Sequence, residues 1–212
     1  MPYRHLHLVL PLLFPAILFA FWPGYFGRLA TAPFGFHLHG IVATSWLALL
    51  MVQGWSIHTR RAHLHRTVGL ALFVLVPLFV AGGLLMTQAM AGMRLARTDP
   101  FHTLFGVRLA LLDLTSVATF LALVEIAMAR RRDPHRHAAA MTATLFLMLP
   151  PILGRMLPAL PGFPAIDGVH PFALSFHVAQ VIAVVGALLL SRQACRGAPL
   201  LRAVALLIAV QS

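Results

Sequence analysis

Residues 37–69 read HLHGIVATSWLALLMVQGWSIHTRRAHLHRTVG. An apolar run is bracketed by histidines. His37 and His39 open it, and His58, His63 and His65 close it. From His39 to His58 is nineteen residues. On a helix that is about 28 Å, close to the ~30 Å hydrocarbon core of a bilayer. The middle is therefore a membrane span with a histidine near each face. His39, Trp46 and Gln53 recur every seven residues and share one stripe, which should face other helices rather than lipid. His58 falls about 100° away from His39 around the axis.

The rest of the chain repeats this composition. Of 212 residues, 60% are hydrophobic and 10% are charged, and the mean hydropathy is +0.87. A soluble domain carries about 25% charged residues. Six runs are long enough to span: about 6–25, 38–57, 67–90, 104–129, 138–156 and 172–191. A seventh, Leu200–Val210, is interrupted by Arg202 and reaches only about 16 Å, which suits an interfacial or partly inserted helix. The expected fold is all-α, a polytopic membrane bundle of six transmembrane helices plus a possible short seventh. It forms a single integral membrane domain over 1–212, with a four-helix core about 37–157. The first run is expected to be retained rather than cleaved as a signal peptide, because it ends in the aromatic belt Phe21-Trp22-Pro23-Gly24-Tyr25-Phe26.

The net charge of +11 is carried by arginines in short loops, a pattern of topology and not of a nucleic-acid face. With six spans, one side holds Arg4, Arg60, Arg61, Arg66, Arg130, Arg131, Arg132, Arg136, Arg192, Arg196 and Arg202. The other holds Arg28, Arg94 and Arg97. Eleven against three makes both termini expected to lie in the cytoplasm. A weak echo, Arg60-Arg61…His65-Arg66 against Arg130-Arg131…His135-Arg136, suggests two tandem hairpins. The lone Cys195 excludes an intrachain disulfide and a CxxC motif.

Ionisable groups inside a membrane are functional candidates. Twelve histidines are present. An outer cluster holds His37, His39, His102, His170 and His177 with Arg108, Arg155 and Asp113. An inner one holds His58, His63, His65, His135 and His137 among arginines. Gly69, Val76 and Gly83 lie within about 40° of His65 on one helix. That lane of small residues could receive a flat macrocycle, or could simply let two helices approach closely. Asp99-Pro100 signals a helix start, an N-cap followed by proline at the first position. His177 lies six residues into its apolar run, and Pro150-Pro151 should kink the fifth span. Imidazole suits iron, copper and zinc, and His39, His65, His137 and His177 are the candidate metal ligands. No phosphate loop, dinucleotide fingerprint or nucleophile elbow occurs, so an enzymatic reaction is neither indicated nor excluded.

The inner hairpin resembles a family of bacterial multi-pass membrane proteins of unknown function. The residues that carry the likeness are His39…Gln53…Arg60-Arg61…Leu64-His65-Arg66-Thr67-Val68-Gly69, then His137-Ala-Ala-Ala-Met141 and Arg155, over about 37–157. It implies a fold and no activity. In helix order and sidedness the chain also distantly resembles di-haem transmembrane b-type cytochromes. That likeness implies haem b held by His39 with His102 or His177 outside, and by His65 with His137 inside. Arg66, Arg108 and Arg155 would lie near propionates. The expectation is a haem-binding electron carrier with a quinone or protein redox partner. The alternative is a non-haem membrane protein, using its histidines for metal or proton handling, or a scaffold subunit.

Overall fold

A computed structural model describes residues 5–193 and 198–210. Arg4, Cys195 and Arg196, used in the sequence reading, lie outside the described residues. The described chain is helical: α1 Leu6–Val9, α2 Leu13–Phe21, α3 Phe34–His58, α4 Ala62–Gly69, α5 Leu72–Leu95, α6 Pro100–Ala129, α7 Pro134–Met156, α8 Pro171–Gln193 and α9 Ala198–Val210. Five stretches among the described residues are long and apolar enough to cross a membrane: α3, α5, α6, Pro134–Ala159 and Pro171–Arg192. The protein is therefore a multi-pass membrane protein in contact with lipid.

The count of six or seven spans is not reproduced. The first apolar run is interrupted by a 3-10 turn at Leu10–Leu12 that contains Pro11, and Leu6–Phe21 stays below spanning length. Pro11 has no backbone donor, and the 3-10 turn that contains it interrupts the α-helical run at this point. The third run also differs from its expected 67–90 bounds. Tight bonds from Leu70 N–H to Thr67 and from Ala71 N–H to Val68 end α4 before α5 begins. His65 thus stands on a short polar helix and not on the span.

Helix starts follow capping chemistry. Asp99 Oδ1 accepts from Phe101 N–H at 2.8 Å ahead of Pro100 in α6. Asp133 caps α7 in the same way, accepting from His135 and Arg136 N–H. His170 Nδ1 accepts from Phe172 N–H at 3.2 Å at the start of α8.

The chain forms two compact units, 28–121 and 1–27 with 122–212; the division falls within α6. In the first, α3 packs along α5 and against α4. Its core is aromatic. Phe79 stacks on Phe120 at 4.2 Å, and Trp46, fully buried, meets Phe120 edge-on at 4.8 Å. In the second, α7, α8 and α9 pack on one another and α2 packs on α7. Ala139, Ala140 and Ala143 of α7 and Ala179, Ala183 and Ala187 of α8 are fully buried. Small side chains let membrane helices approach closely where no hydrophobic drive separates protein from lipid. Leu201, Val204, Ala205 and Ile208 bury one side of α9, so this helix is docked along much of its length.

Candidate functional site

The expected stripe on α3 faces protein along its length. Trp46 is fully buried, and Gln53 Nε2 donates to the His65 carbonyl at 3.1 Å. Gln53 thereby ties α4 back onto α3. His39, half-buried, has its ring 5.3 Å from that of Phe79.

The small-residue lane is a packing seam. A Cβ on Gly82 would stand 3.0 Å from His39 Cα and N. One on Gly83 would stand 2.8 Å from Val117 Cγ2 and 3.9 Å from His39 Nδ1. A Cβ on Gly69 would lie 3.4 Å from Gln53 Nε2. The lane packs against α3 at Gly69 and against α3 and α6 at Gly83.

His102 is set differently. It is buried, and its Nδ1 lies 2.9 Å from Asp99 Oδ2. A carboxylate accepts, so Nδ1 carries the proton. A neutral ring then presents Nε2 as its lone-pair nitrogen. The ring stands edge-on to Phe36 and Phe101, with centroids 6.2 and 5.4 Å away. Phe36 precedes His39 by about one turn, so His39 and His102 belong to the same end of their unit. Burial alone would raise the pKa of Asp99. Hydrogen bonds from the His102 ring and from Phe101 N–H outweigh that and hold it below its ordinary value. Arg108 is half-buried further along α6, and Arg66 is exposed on α4. His65, on α4, is fourteen positions of α3 away from His39 through its bond with Gln53, about 21 Å along the axis.

In the other unit, His137 Nδ1 lies 2.9 Å from the Ala127 carbonyl. A carbonyl only accepts, so Nδ1 again carries the proton and Nε2 is the second functional nitrogen. Ala127 is in the last turn of α6, where carbonyls lack helical partners. At the opposite end of α7, the Arg155 guanidinium lies 4.9 Å from the Phe21 ring centroid and 5.8 Å from that of Phe172, and donates to the Pro151 carbonyl at 3.1 Å. Ser175 Oγ donates to the Gly154 carbonyl at 2.5 Å. His177, half-buried, follows on α8. Arg155 and His177 thus share one end of their unit, and His137 starts α7 eighteen residues, about 27 Å, before Arg155.

Among the described residues no three His, Cys, Asp or Glu side chains are grouped to hold a metal ion. The sequence reading overlooked Asp133 and Ser175. Asp133-Pro134 repeats the Asp99-Pro100 signal and could have been found from it. Ser175 becomes significant only once α8 lies on α7. Compared with protein-family models, curated proteins and solved structures, the chain finds no match.

Proposed function

We propose that the protein is a haem-binding electron carrier of the bacterial inner membrane, with His102 and His137 as the ligand-bearing histidines. The observation that carries the reading is the fixed proton on Nδ1 of both rings. Metal-ligating histidines commonly donate one ring N–H to a carboxylate or carbonyl, which orients the ring and leaves the other nitrogen for the metal. The Asp99–His102 pair and the Ala127–His137 bond have that form. Haem b would supply one-electron chemistry; the chain supplies the oriented imidazoles. The covered seam at Gly82 and Gly83 weighs against a haem on the lane beside His39 or His65. It moves the reading away from that pair. Arg155 holds aromatic rings and a carbonyl, and in this reading it positions α2 and α8 rather than a propionate. A quinone or a redox protein is the partner class, and the arginine-rich turns at Arg60–Arg66 and Arg130–Arg136 favour the cytoplasmic face for both of those turns. The likeness to the bacterial multi-pass family stands beside this proposal as support for the fold.

The test is an optical spectrum of protein purified after expression with ample haem. A Soret band with redox-sensitive α/β bands is expected, weakened or shifted in His102→Ala and His137→Ala and retained in His65→Ala. Colourless wild-type protein rejects the proposal.

The covered seam and the His39–Phe79 contact favour a second reading, a non-haem membrane protein in which histidines lock helices together. Under it the three variants differ only in stability, and metal content is the same in all.

A further inference from the structure

The turn from α3 into α4 gathers cations without counter-charge. Thr59 N–H bonds to Trp55, Arg60 N–H to Ile57 and Arg61 N–H to Ser56 at 2.7 Å, closing the end of α3. Arg60 holds the left-handed conformation, φ 60. His65 N–H then bonds to the Arg61 carbonyl, and Gln53 grips the His65 carbonyl. Arg60, Arg61, His63 and Arg66 are all exposed on this built corner. No Asp or Glu occurs from His37 through Thr98. Arg60, His63 and Arg66 have no ion pair among the described residues, and the Arg61 guanidinium lies 4.7 Å over the Trp55 ring.

Immediately beside the cations the surface is apolar. Trp55, Ile57, Leu70 and Phe73 are exposed at 36, 46, 62 and 63%. A cationic corner beside an exposed apolar rim matches an acidic phospholipid, whose phosphate meets arginine and whose acyl chain meets the rim. The other arginine-rich turn lacks this character. Asp133 lies within it, 3.6 Å from Arg136, and Arg131 donates to the Met128 carbonyl.

We infer that the α3–α4 corner is a binding site for an acidic phospholipid headgroup. Arg60 and Arg66 engage the phosphate. Arg61, stacked on Trp55, marks the depth at which the headgroup sits. The site is independent of any cofactor.

The test uses the full chain purified in a neutral detergent and titrated with phosphatidylglycerol, phosphatidylcholine or inorganic phosphate, read by native mass spectrometry and by thermal midpoint. Phosphatidylglycerol is expected to give retained one-to-one adducts and a raised midpoint, with neither effect from phosphatidylcholine or phosphate. Arg60→Asn with Arg66→Gln should weaken the lipid at least tenfold, whereas Arg131→Gln with Arg132→Gln should leave it unchanged. Asparagine tolerates the left-handed turn, so the first pair should keep the fold. If it does not, Arg66→Gln alone must still weaken the lipid several-fold. Equal adducts from both lipids, saturation by phosphate alone, or wild-type affinity in the Arg60/Arg66 or Arg66 variants overturns the assignment.

Discussion

Adding one methyl group at Gly35 should separate α3 from α5. A Cβ there would stand 2.6 Å from the Leu85 carbonyl carbon and 2.7 Å from Leu85 O and Met86 N, all backbone atoms that cannot rotate away. Ordinary contact begins at 3.4 Å, so the helices must part by at least 0.8 Å (3.4 less 2.6) at this point. A radial gap of that size forfeits a quarter to a half of each packing contact, each worth about 0.1–0.2 kcal/mol. Over a few dozen atom pairs the loss is about 1–3 kcal/mol, the usual range for an overpacked core. Two graded comparisons sharpen the test. Gly82→Ala meets His39 backbone at 3.0 Å and requires a smaller shift, while Gly83→Ala meets only the end of the Val117 side chain at 2.8 Å. Gly92 is also on α5 but has nothing within 4 Å, so Gly92→Ala should gain about 0.5–1 kcal/mol from helix propensity. The assay is the midpoint of heat- or dodecyl-sulfate-induced unfolding in detergent. The expected order is Gly92→Ala above wild type, then Gly83→Ala, Gly82→Ala and Gly35→Ala. A Gly35→Ala protein as stable as Gly92→Ala refutes a tight α3–α5 seam, and with it the objection to a macrocycle there.

Two further changes test the polar groups. Asp99→Ala should cost about 0.5–2 kcal/mol near neutral pH by removing the α6 cap. Because the folded pKa of Asp99 is depressed, that benefit is present above the unfolded value of about 3.9 and fades as pH falls through the lower folded value. Unfolding midpoints of wild type and variant should therefore converge in acid, and a constant gap down to low pH is the contrary result. Gln180 is 1% exposed and its Oε1 has no hydrogen-bond partner among the described residues. Gln180→Met should then match or exceed wild-type stability, since an unsatisfied buried acceptor costs about 1–3 kcal/mol; a clear loss in the unfolding midpoint would show that the amide is satisfied in the membrane.

The spans were legible where one local cause dominated. The α3 span follows from an uninterrupted apolar run after Pro33, and the α6 start follows from Asp99-Pro100. Trp46 and Gln53 were placed inward by seven-residue spacing alone. Pro11 marks the interruption of the first run, but the run as a whole has the hydropathy of a span. The break between α4 and α5 was harder, since Leu70 and Ala71 carry no breaker residue. It follows from a polar segment, His63 to Thr67, which cannot enter hydrocarbon with the run that follows. The docking of α9 was illegible in kind. Thirteen residues are too few to span, and what buries Leu201 and Ile208 is a surface assembled by α7 and α8. The seventy-residue echo likewise dissolves at the caps. Arg61 provides no side-chain cap to α4, whereas Asp133 caps α7.

Histidines at similar sequence positions use their two ring nitrogens differently. Imidazole has two nitrogens, and one can serve the fold while the other remains available for chemistry. His170 spends Nδ1 accepting from a helix N-terminus, so a neutral ring carries its proton on Nε2 and offers no lone pair outward. His102 and His137 spend Nδ1 as donors, so the neutral rings keep the Nε2 lone pair. A ring bond that serves the fold thus leaves the Nε2 lone pair at His102 and His137 but not at His170, although all three sit at helix starts and look alike in sequence. For His39 the deciding factor is space. Its backbone lies where a Cβ on Gly82 would be, and its ring lies beside Phe79. Any ligand reaching it along the lane must first open the seam that Gly35 and Gly82 close.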